Sequence, residues 1–353
     1  MRRALAALVV LSLLCLGASP AEDPKTPPPY RVGVLYWSMQ IPGQVAMRQG
    51  LEAEAGRIQA AAAAAGTRSI ELIPRVAGDG TEGIERQIVQ MSELVETRPD
   101  LLIVQPTDNA ALARPLLRAN ELGVPVVAYD QYISGKGTLA SFVTSDNQQA
   151  GYLGGEYLAS LFDDSQTVRL VLVEYPHVSS TVERLNGLLE ALEDASQPFE
   201  ILKTYIAVEP VGGAAAGKQI LADFPAPGSI DAIFTVNDGG GLAVVDALAK
   251  AGRTEIAVAT VDGDDRSIDN IEAGRLTRID AAQFCGALGA EALKVGWRVL
   301  QGEPVPKLVR VPVFPITKET GHLYKGWNQP RPEAFEKPWP SRTPTWSWLI
   351  RED

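Results

Sequence analysis

The sequence predicts an α/β protein whose β-sheets are parallel and covered by helices on both faces. Short β-branched runs alternate with alanine-rich amphipathic segments through most of the 353 residues; alanine favours helix and branched side chains favour strand. Several runs, among them LLIV (101–104), VVAY (126–129) and LVLV (170–173), are apolar at every position, as strands are when helices bury both faces. Polar and aromatic residues cluster directly after these runs, where a parallel sheet meets the N-termini of its helices. The runs are too many for one sheet.

In order, RVGVLYW (31–37) precedes a helix near 44–65, dense in alanine, and SIELIPRV (69–76) precedes one near 81–97. LLIVQ (101–105) leads to a helix near 109–122, and VPVVAYD (124–130) closes the first set. The beat then recurs: TLASFVTS (138–145) with a helix from about 147, VRLVLVEY (168–175) with one from about 180, and FEILKTYI (199–206) with one from about 212. DAIFTVN (231–237) precedes a helix to about 251, EIAVATVD (255–262) one near 265–273, and LTRIDA (276–281) a long one near 284–301.

The two ends of the chain follow different rules. Arg2 and Arg3, the apolar run from Ala4 to Gly17 and the small residues Ser19 and Ala21 read as an export leader over 1–21, too short to span a bilayer. A lipid anchor at Cys15 is disfavoured by the bulky Leu14 before it. EDPKTPPP (22–29) is an extended tether, because consecutive prolines cannot join a helix. Loss of Arg2 and Arg3 leaves 30 of the 32 basic side chains against 43 acidic ones, a net charge of −13, with Cys285 as the one thiol. Such a chain has no internal disulfide, so its stability rests on core burial. It also lacks the basic excess that nucleic-acid or anionic-membrane binding exploits. His177 and His322 are too few and too far apart for most metal sites or catalytic triads.

The strand ends present Trp37 to Gln40, Gln105 to Asp108, Asp130 to Tyr132, Tyr175 to Ser180, Asn237 and Asp238, Asp262 to Asp265, and Asp280 to Gln283. Any one Asp or Asn there serves equally as a helix cap or turn former. Their repetition at strand after strand points to a binding cleft.

At these residues the sequence resembles the periplasmic sugar-binding proteins of ABC importers, the ribose-binding-like group of the type I periplasmic-binding fold. The matching segments, in the family's order, are DLLIVQPTDNAAL (100–112), GVPVVAYDQ (123–131), SDNQQAG (145–151), VERLNGLLEAL (182–192), DAIFTVNDGGGLAVVDALAKAG (231–252), VATVDGDDRSIDNIEAGRL (258–276) and VLQGEPV (299–305). The resemblance implies two Rossmann-like lobes joined by three crossovers near 145–146, 281–283 and 312–315. Lobe 1 would comprise 30–145 plus 283–313, and lobe 2 would comprise 146–282 plus 314–328.

It also implies a sugar held by charged and amide groups, with aromatic rings stacked on its C–H face. Asp130, Arg184, Asn237 and Asp262 match the family's ligand-binding positions, while Gln105 and Gln283 fall at or beside two amide positions. Gln131 stands where the family has an arginine, Gly43 and Gln44 where it has a phenylalanine pair, and Val208 in place of another ring. Tyr36, Trp37 and Tyr132 are the aromatic residues available to rebuild a stacking surface. The resemblance therefore implies a periplasmic receptor, not an enzyme and without a cofactor, that passes a sugar or sugar alcohol other than ribose to an ABC permease. A membrane sensor kinase is the alternative partner.

Other motifs yield to plainer readings. GGAAAGK (212–218) lacks the Ser or Thr a P-loop requires, since Gln219 follows, and Gly239 to Gly241 do not complete a dinucleotide fingerprint. Asp262, Asp264 and Asp265 lack the spacing of a calcium loop. His177 reads as a surface or cleft-edge residue and Cys285 as a small packed side chain. The segment 329–353 is rich in Trp and Pro; with Trp327 it holds four of the six tryptophans, and its proline density excludes helix. It is expected to lie on the lobes as an extended strap, with a partner-docking surface as the alternative.

Overall fold

A computed structural model describes residues 27–353; the expected leader and residues 22–26 of the tether lie outside the described residues. The first lobe is built from β1 (Tyr30–Tyr36), α1 (Pro42–Ala65), β2 (Ile70–Val76), α2 (Gly80–Glu96), β3 (Leu101–Val104), α3 (Ala113–Glu121), β4 (Val126–Tyr129) and β5 (Ser141–Ser145). The second contains α4 (Asn147–Ala159), β6 (Val168–Glu174), α5 (Ser179–Asp194), β7 (Phe199–Ile206), α6 (Pro210–Asp223), β8 (Ala232–Thr235), α7 (Asp238–Lys250), β9 (Ala257–Asp262), α8 (Asp265–Glu272) and β10 (Thr277–Ala282). The chain then returns to the first lobe with α9 (Cys285–Leu300) and β11 (Leu308–Val311), and crosses again into β12 (Phe314–Ile316).

Each sheet has the same logic. In the first lobe the order is β2-β1-β3-β4-β5-β11, all parallel; in the second it is β7-β6-β8-β9-β10, parallel, with β12 antiparallel at the edge. Helices cover both faces, so β3, β4 and β8 are buried at every position, which is why their sequences do not alternate. The chain passes between lobes at Ser145–Asn147, at Ala282–Cys285 and at Val311–Phe314.

Local chemistry sets the element ends. Pro42 opens α1 where a missing N–H costs nothing, and Gly66 closes it in the left-handed conformation, φ 63°. Asp146, Asn237 and Asp264 cap α4, α7 and α8 with their side-chain oxygens. The helix expected from 109 begins only at Ala113, because Asp108 Oδ1 accepts from the N–H groups of Ala110 and Ala111 and folds that stretch into a turn. Residues 212–218, the near P-loop, lie within α6. Helices α4 and α5 approach through Gly151 and Gly187: a Cβ on Gly151 would clash with the Arg184 carbonyl, and one on Gly187 with the Gln148 carbonyl. That contact fixes where Arg184 leaves its helix.

The C-terminal segment is an extended strap over the hinge. Trp327 donates from Nε1 to the Asp262 carbonyl at 2.6 Å. A hairpin of β13 (Phe335–Glu336) and β14 (Thr345–Trp346) follows, and its tip reaches the second lobe, where Trp339 packs edge-on against Tyr157. Trp346 is buried against Phe314 and donates to the Val313 carbonyl at 2.7 Å. Trp348 then packs on Phe284, and β15 (Arg351–Glu352) joins the first-lobe sheet antiparallel to β11.

Candidate functional site

The C-terminal ends of both sheets face one cleft, and the side chains there line a small cavity of about 30 Å³ between the lobes. From the first lobe Trp37, Gln44, Met47 and Asp130 line it; from the second, Arg184, Val208, Asn237 and Asp262, with Gln283 at the seam.

Two of these residues occupy uncommon backbone conformations. Asp130 follows β4 at φ 64°, a left-handed state that Asp tolerates. Asp262 ends β9 at φ 131°, and such a conformation costs about 1–3 kcal/mol that its surroundings must offset. The Asp262 carbonyl accepts from Gln283 N at 3.0 Å and from Trp327 Nε1, and the next residue, Gly263, donates to Asp280 Oδ1 at 2.9 Å.

A polar network holds the site. Arg184 is 3% exposed; its Nε donates to Asn147 Oδ1 at 2.9 Å, and its Nη1 donates to the Val236 carbonyl at 2.9 Å and to Asp262 Oδ1 at 3.1 Å. Gln283 donates to the same Asp262 oxygen at 2.7 Å and accepts from Ser145 Oγ at 2.6 Å. Asn147 Nδ2 reaches Thr144 Oγ1 and the Ser145 carbonyl, both at 3.0 Å, and Thr144 donates to the Asp130 carbonyl at 3.1 Å. The cavity-lining groups of both lobes are thus wired through the first crossover.

Burial pushes the Asp130 carboxyl up to about 6, against the opposing pull of the Gln105 hydrogen bond and of Arg184, while Asp262 adds repulsion. Asp262 is also raised by burial, with Arg184 and Gln283 opposing. Behind them, burial and then mutual repulsion raise Asp238 and burial raises Asp280. Asp238 is satisfied by Thr260 Oγ1 and the Asp264 N–H, both at 2.8 Å.

Among the described residues, Arg184 Nη2, Asp130 Oδ1 and Asp262 Oδ2 have no hydrogen-bond partner in the protein. These atoms combine a forked cationic donor with carboxylate acceptors, which suits neighbouring hydroxyls that both donate and accept. No group of His, Cys, Asp and Glu capable of holding a metal occurs among the described residues.

The lobes meet directly around the mouth. Gln131 Nε2 donates to Ser180 Oγ at 2.7 Å while Ser180 N donates back to Gln131 Oε1 at 3.2 Å. Asn109 N donates to the His177 carbonyl at 3.0 Å, and Gly80 N to Glu209 Oε1 at 3.1 Å.

The structure brings Asp130, Arg184, Asn237, Asp262, Gln283, Gln131 and Trp37 together on the cavity. Asn237 both lines it and caps α7, its Nδ2 donating to the Val208 carbonyl at 3.0 Å. Three expectations need correction. Gln105 stands one layer back: it accepts from Trp37 N at 3.1 Å and donates to Asp130 Oδ2 at 2.9 Å, so it positions the wall. Tyr36 points from β1 into the core beneath Arg48, because strand side chains alternate and its neighbour Trp37 takes the cleft side. Tyr132 lies 42% exposed outside the cleft, edge-on to Phe142. Among the described residues, Trp37 is thus the one aromatic ring on the cavity. Ser180 belongs to the strand-end stretch Tyr175 to Ser180, whereas Ser145 and Asn147 carry no site role that sequence alone assigns. The SDNQQAG segment was in view, but nothing in spacing reveals that Asn147 meets Arg184, 37 residues away.

A family model described as periplasmic binding protein domain matches residues 32–304. The ribose import binding protein of Bacillus subtilis is 25% identical over 323 residues, covering 89% of this chain and 98% of that protein. Two solved structures share the fold. A solute-binding protein from Actinobacillus succinogenes with bound D-allose has a TM-score of 0.70 at 22% identity, covering 84% of this chain and all of that one. The Caulobacter myo-inositol-binding protein has a TM-score of 0.70 at 22% identity, covering 82% and 94%.

Proposed function

The chain belongs to the periplasmic binding protein family, and on that premise we propose that it is an exported receptor for a small polyhydroxylated ligand, a sugar or sugar alcohol other than ribose. It captures the ligand between its lobes and delivers it to an ABC permease in the inner membrane. The leader over 1–21 directs it to the periplasm.

The observation behind this reading is the convergence of unspent polar atoms, Arg184 Nη2, Asp130 Oδ1 and Asp262 Oδ2, beside a single aromatic wall at Trp37. A neutral polyol satisfies both carboxylates and the guanidinium at once, and buried groups left unpaired would cost about 1–3 kcal/mol each. The departure from ribose rests on Gln131, whose amide is spent on Ser180 at both ends where a ribose-binding relative would offer an arginine. In the Trp-rich tail the indoles of Trp339 and Trp346 are spent on hydrogen bonds within the chain, which favours the strap over a partner-docking surface.

A melting-temperature screen against pentoses, hexoses, inositols and linear polyols, followed by calorimetric titration, tests the reading. A ligand that binds only the folded state raises the melting temperature with its saturation. A flat response to every sugar and polyol, with a shift from another chemical class, overturns it.

A further inference from the structure

We propose that the C-terminal strap is a fourth connection between the lobes that limits how far the cleft opens. It follows β12 of the second lobe, after the third crossover, and ends as β15 in the first-lobe sheet, and so adds to the three crossovers.

The strap is anchored on both lobes. On the second, the hairpin tip converges on Glu156 of α4: Lys337 Nζ lies 2.9 Å from Oε1, Trp339 Nε1 donates to the same oxygen at 2.6 Å, and Ser341 Oγ donates to Oε2 at 2.6 Å. The Lys337 and Glu156 side chains are only 2% and 7% exposed. A buried carboxylate with this many charge-assisted donors holds one geometry, since any displacement strands charge away from water. On the first lobe, β15 extends the sheet at β11, and Asp353 pairs with Arg310. Arg351 also pairs with Asp146, which stands at the first crossover. Between the anchors Trp346 is buried over the third crossover and fastened to the Val313 carbonyl.

Opening turns the second lobe about these crossovers, so Glu156 must move relative to β11. The segment from Trp339 to Arg351 joins the two positions; it has no helix to uncoil, and Trp346 fastens it midway to the Val313 carbonyl. Opening therefore has to lift the hairpin tip from α4 or strip β15 from the sheet.

The test needs no ligand, so it fails separately from the polyol reading. In the chain without its leader, Thr81→Cys and Val211→Cys place labels on exposed positions on opposite sides of the cleft mouth; Cys285, the one native thiol left, is buried. Pulsed electron-spin measurements then compare the full chain with one lacking residues 350–353, which loses β15 and the Arg351 and Asp353 pairs but none of the cleft residues. The full chain should give one short distance, and the shortened chain a second, longer-distance population. Superimposable distributions overturn the proposal. Should melting show that the shortened chain does not fold, Trp339→Ala releases the other anchor and is read in the same way.

Discussion

Lowering the pH from 7.5 to 5 should weaken ligand binding while stabilising the ligand-free protein. Both effects follow from Asp130. Its carboxyl, pushed up to about 6 by burial, is about nine-tenths protonated at pH 5 and almost fully ionised at pH 7.5. If only the carboxylate accepts the ligand's hydroxyls, affinity falls about tenfold, near 1.4 kcal/mol. Stability runs the other way. The folded state binds this proton more tightly than the unfolded chain, whose carboxyl titrates near 3.8. The group's contribution to folding is therefore complete below about 4 and is lost as pH rises through 6, on the order of 3 kcal/mol in all. Asp238, Asp262 and Asp280 shift in the same direction. The carboxylates held low by arginine, such as Asp231, first among its causes the Arg169 hydrogen bond, change only at more acid pH. Calorimetric titration with the polyol or sugar giving the largest melting shift, at pH 7.5, 6 and 5, measures the first effect; melting of the free protein measures the second. Asp130→Asn, which tolerates φ 64°, should flatten part of the stability change. An affinity constant within about twofold across this range would refute the reasoning.

Arg184→Met should remove the forked donor and leave Asp262 buried without its cation, weakening binding by about 1.5–3 kcal/mol and stability by about 3–5 kcal/mol. Titration and denaturant melts separate the two, and undiminished affinity would remove Arg184 from the site. Asn147→Ala touches no ligand atom in this reading, yet it should cost roughly 1 kcal/mol of affinity by unpinning the guanidinium. Asn147→Asp, which keeps the acceptor for Arg184 Nε, should recover part of that loss, and equal affinities for the two variants would show that Asn147 does not act through Arg184.

Much of the fold was legible because covered parallel strands must be apolar on both faces; LLIV and VVAY declare β3 and β4 without any partner in view. Where short-range chemistry competes, legibility fades. Asp108 turned the expected start of α3 into a loop, and β11, β12 and the three short strands of the strap are too brief, and too interrupted by proline, to show a period. In the site, Asp130, Arg184, Asn237 and Asp262 were readable from their places in the family pattern and at strand ends. What each does with its hydrogen bonds was not. Gln105 differs from a ligand-contacting amide only in where its amide points, and Gln131 became a clasp on Ser180 because the opposite lobe supplied a partner.

The sequence by itself determined the alternation of strands and helices, the polar strand ends and the acid balance, since these depend on propensity, burial pattern and composition. The tertiary structure alone decided which polar atoms remain unspent, that Trp37 rather than Tyr36 faces the cleft, and that the Trp/Pro tail joins the two lobes. Hydrogen bonds and close packing are settled between residues that are tens to hundreds of positions apart, as Glu156 and Trp339 are, and a linear pattern carries no record of which distant groups will meet.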